Sequence, residues 1–396
     1  MKQMETNLTQ IEYGFLSINH KGEELCGDHI QVYEGEDGSY TLVLADGLGS
    51  GVVASILSTL TSAMLSRMVE GGLSIEEGAR TLVKTLPIAR DRGNVAYSTF
   101  TVCHINKDYF ATIYNFDNPE PVFIRDGNEK KLSYENIEVE GKIIKKASFY
   151  FQVNDILTII SDGAVHAGVG ETLNFGWTRE EISAFLVGLY SPSLSSKNLA
   201  TILVDHCDLL YNHRPGDDTS ALCVKRRERK KVSLLVGPAT SPNDDEQMLS
   251  SFFFDNNPHI VCGGTTCSIV ARYLHKEVKG GLDYIDPDVP PISYIDGVDL
   301  ATEGIITLNK VLSLSKDYQG QNKSYFDWSF KEDGASLIAR MLFEDATDIK
   351  FFVGCAVNPA HQDPRYQINF KMKMQIIDNL AKELKNMGKH IEVKYY

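Results

Sequence analysis

Short, nearly continuous apolar runs recur through the first half of the chain, and several end on an acid followed by glycine. Residues 41–45 (Thr-Leu-Val-Leu-Ala) read as a buried strand, and the first charge beyond them is Asp46, followed by Gly47, Gly49 and Gly51. The run 156–160 likewise ends on Ser161-Asp162-Gly163. Between these two, residues 98–105, 109–115, 121–125 and 148–153 read as strands, with Asn118-Pro119 and Asp126-Gly127 as turns. After the first glycine turn the period becomes helical: Val53, Ile56, Leu57, Leu60, Met64 and Met68 share one face, and Gly71-Gly72 stops the run. Ser74 and Glu77 form a capping box that opens a second helix, with Ile75, Ala79, Leu82, Val83 and Leu86 as its apolar face. So short a connection pairs the two helices antiparallel, and both are expected to cover a sheet. Thr178 and Glu181 cap a further helix to about residue 189; another follows over 196–211, and a last strand over 220–224. Runs of strands with helices before and after predict an α+β fold for residues 1–228: two packed β-sheets flanked by helices.

Beyond residue 228 the pattern alternates instead. Strands are expected at 232–236, 259–262, 349–357 and 390–395. Helices are expected at 244–255, 265–274, 335–343 and 367–387, with mixed signals over 302–315. Alternating units of this kind predict a smaller α/β domain over 229–396 with a mostly parallel sheet. Between its second strand and helix lies Gly263-Gly264-Thr265-Thr266. There, backbone N–H groups and two hydroxyls would face an anion or small ligand if the segment is more than a structural turn. It matches neither the P-loop nor the full dinucleotide fingerprint.

Composition narrows the class. A chain of 396 residues exceeds the usual single domain, and 43% hydrophobic with 23% charged residues is ordinary for a globular protein. A formal net charge of −14 disfavours nucleic acid and anionic membrane surfaces as partners, and no apolar run is expected to reach the ~20 residues of a membrane span. Residues 1–19 lack a secretory apolar core, so a cytoplasmic location is expected. Seven cysteines without zinc-ligand spacing fit a reducing compartment, with Cys26 read as a buried structural thiol. The basic run from Lys225 to Lys231 reads as a solvated hinge.

The chemistry lies in acids at strand boundaries: Gly27-Asp28, Asp46-Gly47, Asp162-Gly163 and Gly216-Asp217-Asp218. Each alone is an ordinary turn. Brought together, such carboxylates resist ionisation unless cations neutralise them, and oxygen ligands suit Mg²⁺ or Mn²⁺ better than zinc.

In order, the Gly-Asp, Ala-Asp-Gly-x-Gly-x-Gly, Ser-Asp-Gly and Gly-Asp-Asp-x-Ser segments resemble the metal-dependent protein serine/threonine phosphatases of the protein phosphatase 2C type. More narrowly they resemble the bacterial sporulation stage II E branch, over roughly residues 14–225. The resemblance implies an αββα sandwich that uses two or three Mn²⁺ or Mg²⁺ ions. It implies hydrolysis of phosphoserine or phosphothreonine on a regulatory protein, such as an anti-sigma-factor antagonist, by direct attack of a metal-activated water. It also implies that Asp46 bridges the ions, that the carbonyl of Gly47 joins the second, and that Asp162 and Asp217 hold the first. Asp28 contributes on the second side, directly or through water, and counts with Asp46 as catalytic. Asp218 and His29 are read as neighbours that orient ligands or solvent, while His20 and His166 are read as surface or supporting groups. Members of this branch use the helices equivalent to 51–86 as an activity switch, and the same pair is the expected surface for a homodimer. Two other readings stand beside the enzyme: a pseudophosphatase scaffold, and a small-ligand-binding C-terminal domain that regulates or dominates the activity.

Overall fold

The structure, a computed structural model, describes residues 8–85, 88–89, 95–96, 98–139, 141–281, 284–356 and 364–396. The chain divides into two compact units, Met1–Glu228 and Arg229–Tyr396. Leu86 and Val357, assigned above to a helix and a strand, lie outside the described residues.

The strands of the first unit are β1 (Thr9–Ile18), β2 (Asp28–Glu34), β3 (Tyr40–Gly47), the short pair β4 (Ile88–Ala89) and β5 (Val95–Ala96), β6 (Ser98–Ile105), β7 (Phe110–Phe116), β8 (Val122–Arg125), β9 (Asn128–Glu129), β10 (Glu135–Val139), β11 (Lys142–Tyr150), β12 (Ile156–Ile160) and β13 (Thr219–Glu228). They form one sheet of order β1-β13-β12-β8-β9 and another of order β10-β11-β7-β6-β3-β2. Alternation along β3 explains the layering. Leu42 and Leu44 point into the space between the sheets, where they meet Leu157, Ile159, Leu222 and Val224 of the other sheet. Val43 and Ala45 point outward to the helix α1 (Gly51–Glu70) and the helix α2 (Ile75–Thr85), through Leu65, Ala79 and Leu82. After the single turn α3 (Asp162–Val165), the helices α4 (Arg179–Gly188) and α5 (Ser196–Leu210) cover the first sheet, with Ile182, Leu186, Leu199 and Leu203 buried against it. This is the αββα sandwich.

Several expectations are corrected. The helix α1 does not bury its apolar stripe: Val53, Ile56, Leu60 and Met64 are exposed, while Ala54, Ser58, Thr61, Ser62 and Leu65 face the sheet. Small side chains let the helix axis come close to β2 and β3, and that close approach outweighs burial of the bulkier stripe. At 20 residues, α1 is also long and apolar enough to cross a membrane, which no run was expected to be. Finally, the basic run is solvated only in part: Glu228, Lys230 and Lys231 are exposed at the boundary of the two units, but the run begins inside a strand. Lys225 and Arg227 belong to β13 and are buried. The Lys225 ammonium donates to the carbonyls of Ser191, Pro192 and Leu194, and Arg227 pairs with Glu12. Such buried cations persist only because every charge meets a partner. The expected strand 148–153 begins earlier, at Lys142, because β10 pairs with β11 in a hairpin that sequence reading missed.

In the second unit, β14 (Lys231–Val236), β15 (His259–Cys262), β18 (Leu300–Thr302), β19 (Asp348–Val353) and β20 (His390–Tyr395) run parallel. The short antiparallel strands β16 (Lys279–Gly280) and β17 (Ser293–Tyr294) extend the sheet to the order β16-β17-β18-β15-β14-β19-β20. The helices Pro242–Phe252 and Gly264–Leu274 cover one face through Met248, Phe252 and Val270, which pack on Leu235, Val261 and Phe352. The mixed stretch 302–315 resolves into the end of β18 and the helix Ile305–Gln319, which packs against the long helix Pro364–Asn386. The expected helix 335–343 is Gly334–Ala339, continued by a wider π turn over Arg340–Asp345.

All seven cysteines are free thiols; Cys26 is only half-buried.

Candidate metal centre

The acids gather at one end of the space between the two sheets. Asp28 opens β2 and stands opposite Asp46 in the β2–β3 ladder. Both lie on the face that carries Ile30, Leu42 and Leu44, so the period of two turns the two carboxylates inward together. Beyond them the backbone is pinned: the Gly47 N–H donates to the Gly27 carbonyl at 3.1 Å, and the Ser98 hydroxyl donates to the Asp46 carbonyl at 2.9 Å. Gly47 is required by contact, because a methyl there would fall inside the Ala54 carbonyl of α1.

The other sheet delivers its acids by a parallel device. The Ser161 N–H donates to the Ser220 carbonyl at 3.1 Å and the Ser220 N–H to the Ser161 hydroxyl at 2.9 Å, which ties the end of β12 to the start of β13. Asp162 follows the first of these serines, and Asp217 and Asp218 precede the second. A methyl on Gly163 would fall inside the Asp218 carbonyl, so that turn also has to be glycine. The Tyr211 hydroxyl donates to the Gly163 carbonyl at 2.8 Å and holds the turn from behind.

Electrostatics show what the cluster lacks. Burial, together with the charges of Asp28 and Asp162, pushes the Asp46 carboxyl up to about 10. Burial and the neighbouring Asp162 raise Asp217 to about 6. Asp28 is 5% exposed, and its carboxyl is pushed well above the usual range by burial, with the charges of Asp218 and Asp162 adding to it. The hydroxyls of Ser161 and Ser220 stand close enough to oppose that shift. Yet neither carboxylate oxygen of Asp28 completes a hydrogen bond, and the same is true of Asp218 Oδ2. Buried carboxylate oxygens without partners, crowded by like charges, are what a divalent cation neutralises, so the residues present fit the metal ions the acids imply.

The remaining expected residues lie as follows. Asp218 accepts the His20 N–H at 2.9 Å through Oδ1 and keeps Oδ2 buried beside Gly27. His29 is not with the acids: it lies opposite Ala45 on the outward face of β2, and its Nδ1 meets the Ser62 hydroxyl of α1 at 2.7 Å. Gly263, Gly264, Thr265 and Thr266 do start a helix after β15, with Gly263 at φ 113°. However, the Thr266 hydroxyl is buried and accepts the Gly237 N–H at 2.9 Å, which leaves Thr265 as the one exposed hydroxyl of the four residues. His166 is the residue whose place sequence reasoning missed. Asp162, His166 and Asp217 each offer a ligand atom within 4.8 Å of the others. The signal was the spacing of Asp162 and His166, four apart on one helical turn.

Residues 36–227 match the family model described as Stage II sporulation protein E (SpoIIE). Among solved structures, the phosphatase domain of the cell fate determinant SpoIIE from Bacillus subtilis is similar at 16% identity and a TM-score of 0.43, over 56% of this chain and 93% of that one. The RsbU and RsbW domains of Rv1364c from Mycobacterium tuberculosis are similar at 16% identity and a TM-score of 0.45, over 62% of this chain and 68% of that one. RsbX, solved in complex with magnesium, is similar at 15% identity and a TM-score of 0.39, over 55% of this chain and 95% of that one. No curated protein matches. The acidic motifs, the sandwich that gathers them and the match over 36–227 lead to one conclusion: this stretch is a SpoIIE-type domain.

Proposed function

We propose that the protein hydrolyses phosphoserine or phosphothreonine on a regulatory phosphoprotein, such as an anti-sigma-factor antagonist, using two or three Mn²⁺ or Mg²⁺ ions. Asp28, Asp46, the Gly47 carbonyl, Asp162 and Asp217 would hold them. The observation that carries this reading is the convergence of acids from four separate segments, with the buried oxygens of Asp28 unpartnered. When bound, such cations screen the phosphoryl oxygens and make a bound water far easier to deprotonate.

The chain's own part is to place and hold. The two serine-to-backbone bonds between β12 and β13 fix Asp162 against Asp217, and the β2–β3 ladder fixes Asp28 against Asp46. Asp218, through the His20 N–H, anchors the loop that precedes β2. No side-chain nucleophile is needed in this scheme, which agrees with the site being built from carboxylates. The anti-sigma-factor antagonist is suggested by the SpoIIE-type match alone.

The test is hydrolysis of a phosphoserine peptide and of p-nitrophenyl phosphate by the full chain with Mn²⁺. We expect turnover that is abolished by chelation and falls at least about 100-fold in Asp46→Asn and Asp162→Asn, the scale of losing a principal electrostatic group. Turnover that survives both substitutions would overturn the proposal. Tight Mn²⁺ binding without turnover would instead favour the scaffold reading.

A further inference from the structure

We infer that His166 supplies a ring nitrogen to the cation held by Asp162 and Asp217, so that this position has a mixed oxygen and nitrogen donor set and prefers Mn²⁺ to Mg²⁺. The inference rests on the phosphatase reading above and adds a ligand which that reading did not contain.

Three observations carry it. The first is distance: a nitrogen of His166 and one carboxylate oxygen each of Asp162 and Asp217 lie within 4.8 Å of one another, close enough to share an ion. Local geometry is the second. The His166 N–H donates to the Asp162 carbonyl at 3.0 Å, closing one helical turn, so the two side chains project from the same face. The ring is exposed and makes no hydrogen bond among the described residues, so its nitrogens are free to take an ion. The third is independent of both. Asp28, buried to all but 5%, has two unpartnered carboxylate oxygens and feels the charge of Asp162, which marks the same end of the sandwich as short of positive charge.

The chemistry then sets the preference. Mg²⁺ demands oxygen donors and releases its waters reluctantly, whereas an imidazole nitrogen is a better donor to first-row transition ions. Replacing an oxygen position by imidazole therefore shifts selectivity along the series without changing the site's place in the fold. A carboxylate at 166 would restore an all-oxygen set, which makes His166→Glu the informative partner of His166→Ala.

The experiment uses the full chain loaded with Mn²⁺. Pulsed electron paramagnetic resonance would look for nitrogen modulation of the Mn²⁺ signal, and competition against Mg²⁺, read from the free-Mn²⁺ signal, would give the ratio of affinities. We expect nitrogen modulation in the native chain, its loss in His166→Ala and His166→Glu, and a Mn²⁺-to-Mg²⁺ affinity ratio at least about tenfold lower in His166→Glu. Asp217→Asn should weaken the Mn²⁺ that carries the modulation. Mn²⁺ bound without nitrogen modulation, and with a ratio unchanged in both His166 variants, would overturn this inference and leave the phosphatase reading intact. A native chain that binds no Mn²⁺ would overturn both.

Discussion

Asp28 and Asp46 stand directly opposite one another across an antiparallel ladder, both turned into the space between the sheets. Two inward carboxylates at facing positions repel, and the fold tolerates them only because one or both hold a proton or a cation. The metal-free protein should therefore gain from neutralising the pair. In Asp46→Asn we expect the melting temperature without metal to rise by roughly 2–4 °C, the shift of about 1 kcal/mol for a domain of this size. The stabilisation by Mn²⁺ seen in the native chain should shrink in the same variant. Differential scanning calorimetry with and without chelator reads both, and a variant less stable than the native chain without metal would contradict the repulsion.

The same crowding sets a pH dependence. Asp46, raised to about 10, and Asp217, raised to about 6, both sit above the values they would have in an unfolded chain. A carboxyl raised on folding contributes stability that is complete below the unfolded pKa near 4 and is lost as pH climbs through the folded one. For Asp217 the loss falls between about pH 4 and 6, and for Asp46 it continues towards 10. Without metal, stability contributed by this cluster should therefore fall from pH 5 to pH 9. Binding Mn²⁺ at pH 7 should expel protons, because Asp46 must ionise to accept the ion. Calorimetric titrations in two buffers of different ionisation enthalpy count those protons, and a count of zero would contradict the raised carboxyls.

How much of this was legible beforehand depends on whether local pattern and tertiary packing agree. The strands ending at Asp46 and Asp162 were readable, because a buried run that meets an acid and then glycine is a local signal. The αββα fold followed from the order of such runs. The buried places of Lys225 and Arg227 were not readable, since their partners are carbonyls at 191–194 and Glu12, distant in sequence. His29 looked close to the site because it follows Asp28, yet the period of two sends adjacent side chains to opposite faces. His166 looked peripheral because its partner Asp217 lies 51 positions away, and only the fold brings the two together.

Gly47 couples the acids to the helix that follows them. With the Ala54 carbonyl occupying the space a Cβ would need, Gly47→Ala cannot be accommodated unless α1 shifts. We expect this variant to lose about 1–3 kcal/mol of stability, the usual cost of overpacking, and to lose metal-dependent turnover out of proportion to the fraction unfolded. Chemical denaturation followed by activity at a temperature where the variant is folded separates the two effects. Unchanged turnover would show that the position of α1 does not matter to the site.

The orientation of α1 makes the last prediction, because it reverses the usual rule that the apolar stripe of a helix is its buried face. Leu60 is 54% exposed while Ser62, two residues on, is fully buried with its hydroxyl against His29. Leu60→Ser should therefore change stability by no more than about 0.5 kcal/mol, as surface substitutions do. Ser62→Leu has to force a bulkier side chain between the helix and the sheet and should cost about 1–3 kcal/mol. Urea denaturation of the two variants beside the native chain reads the difference directly. A cost above about 1.5 kcal/mol for Leu60→Ser that grows with protein concentration would mean that a second copy covers the stripe in solution, since only association makes stability depend on concentration. The same cost at every concentration would mean that the helix is turned the other way.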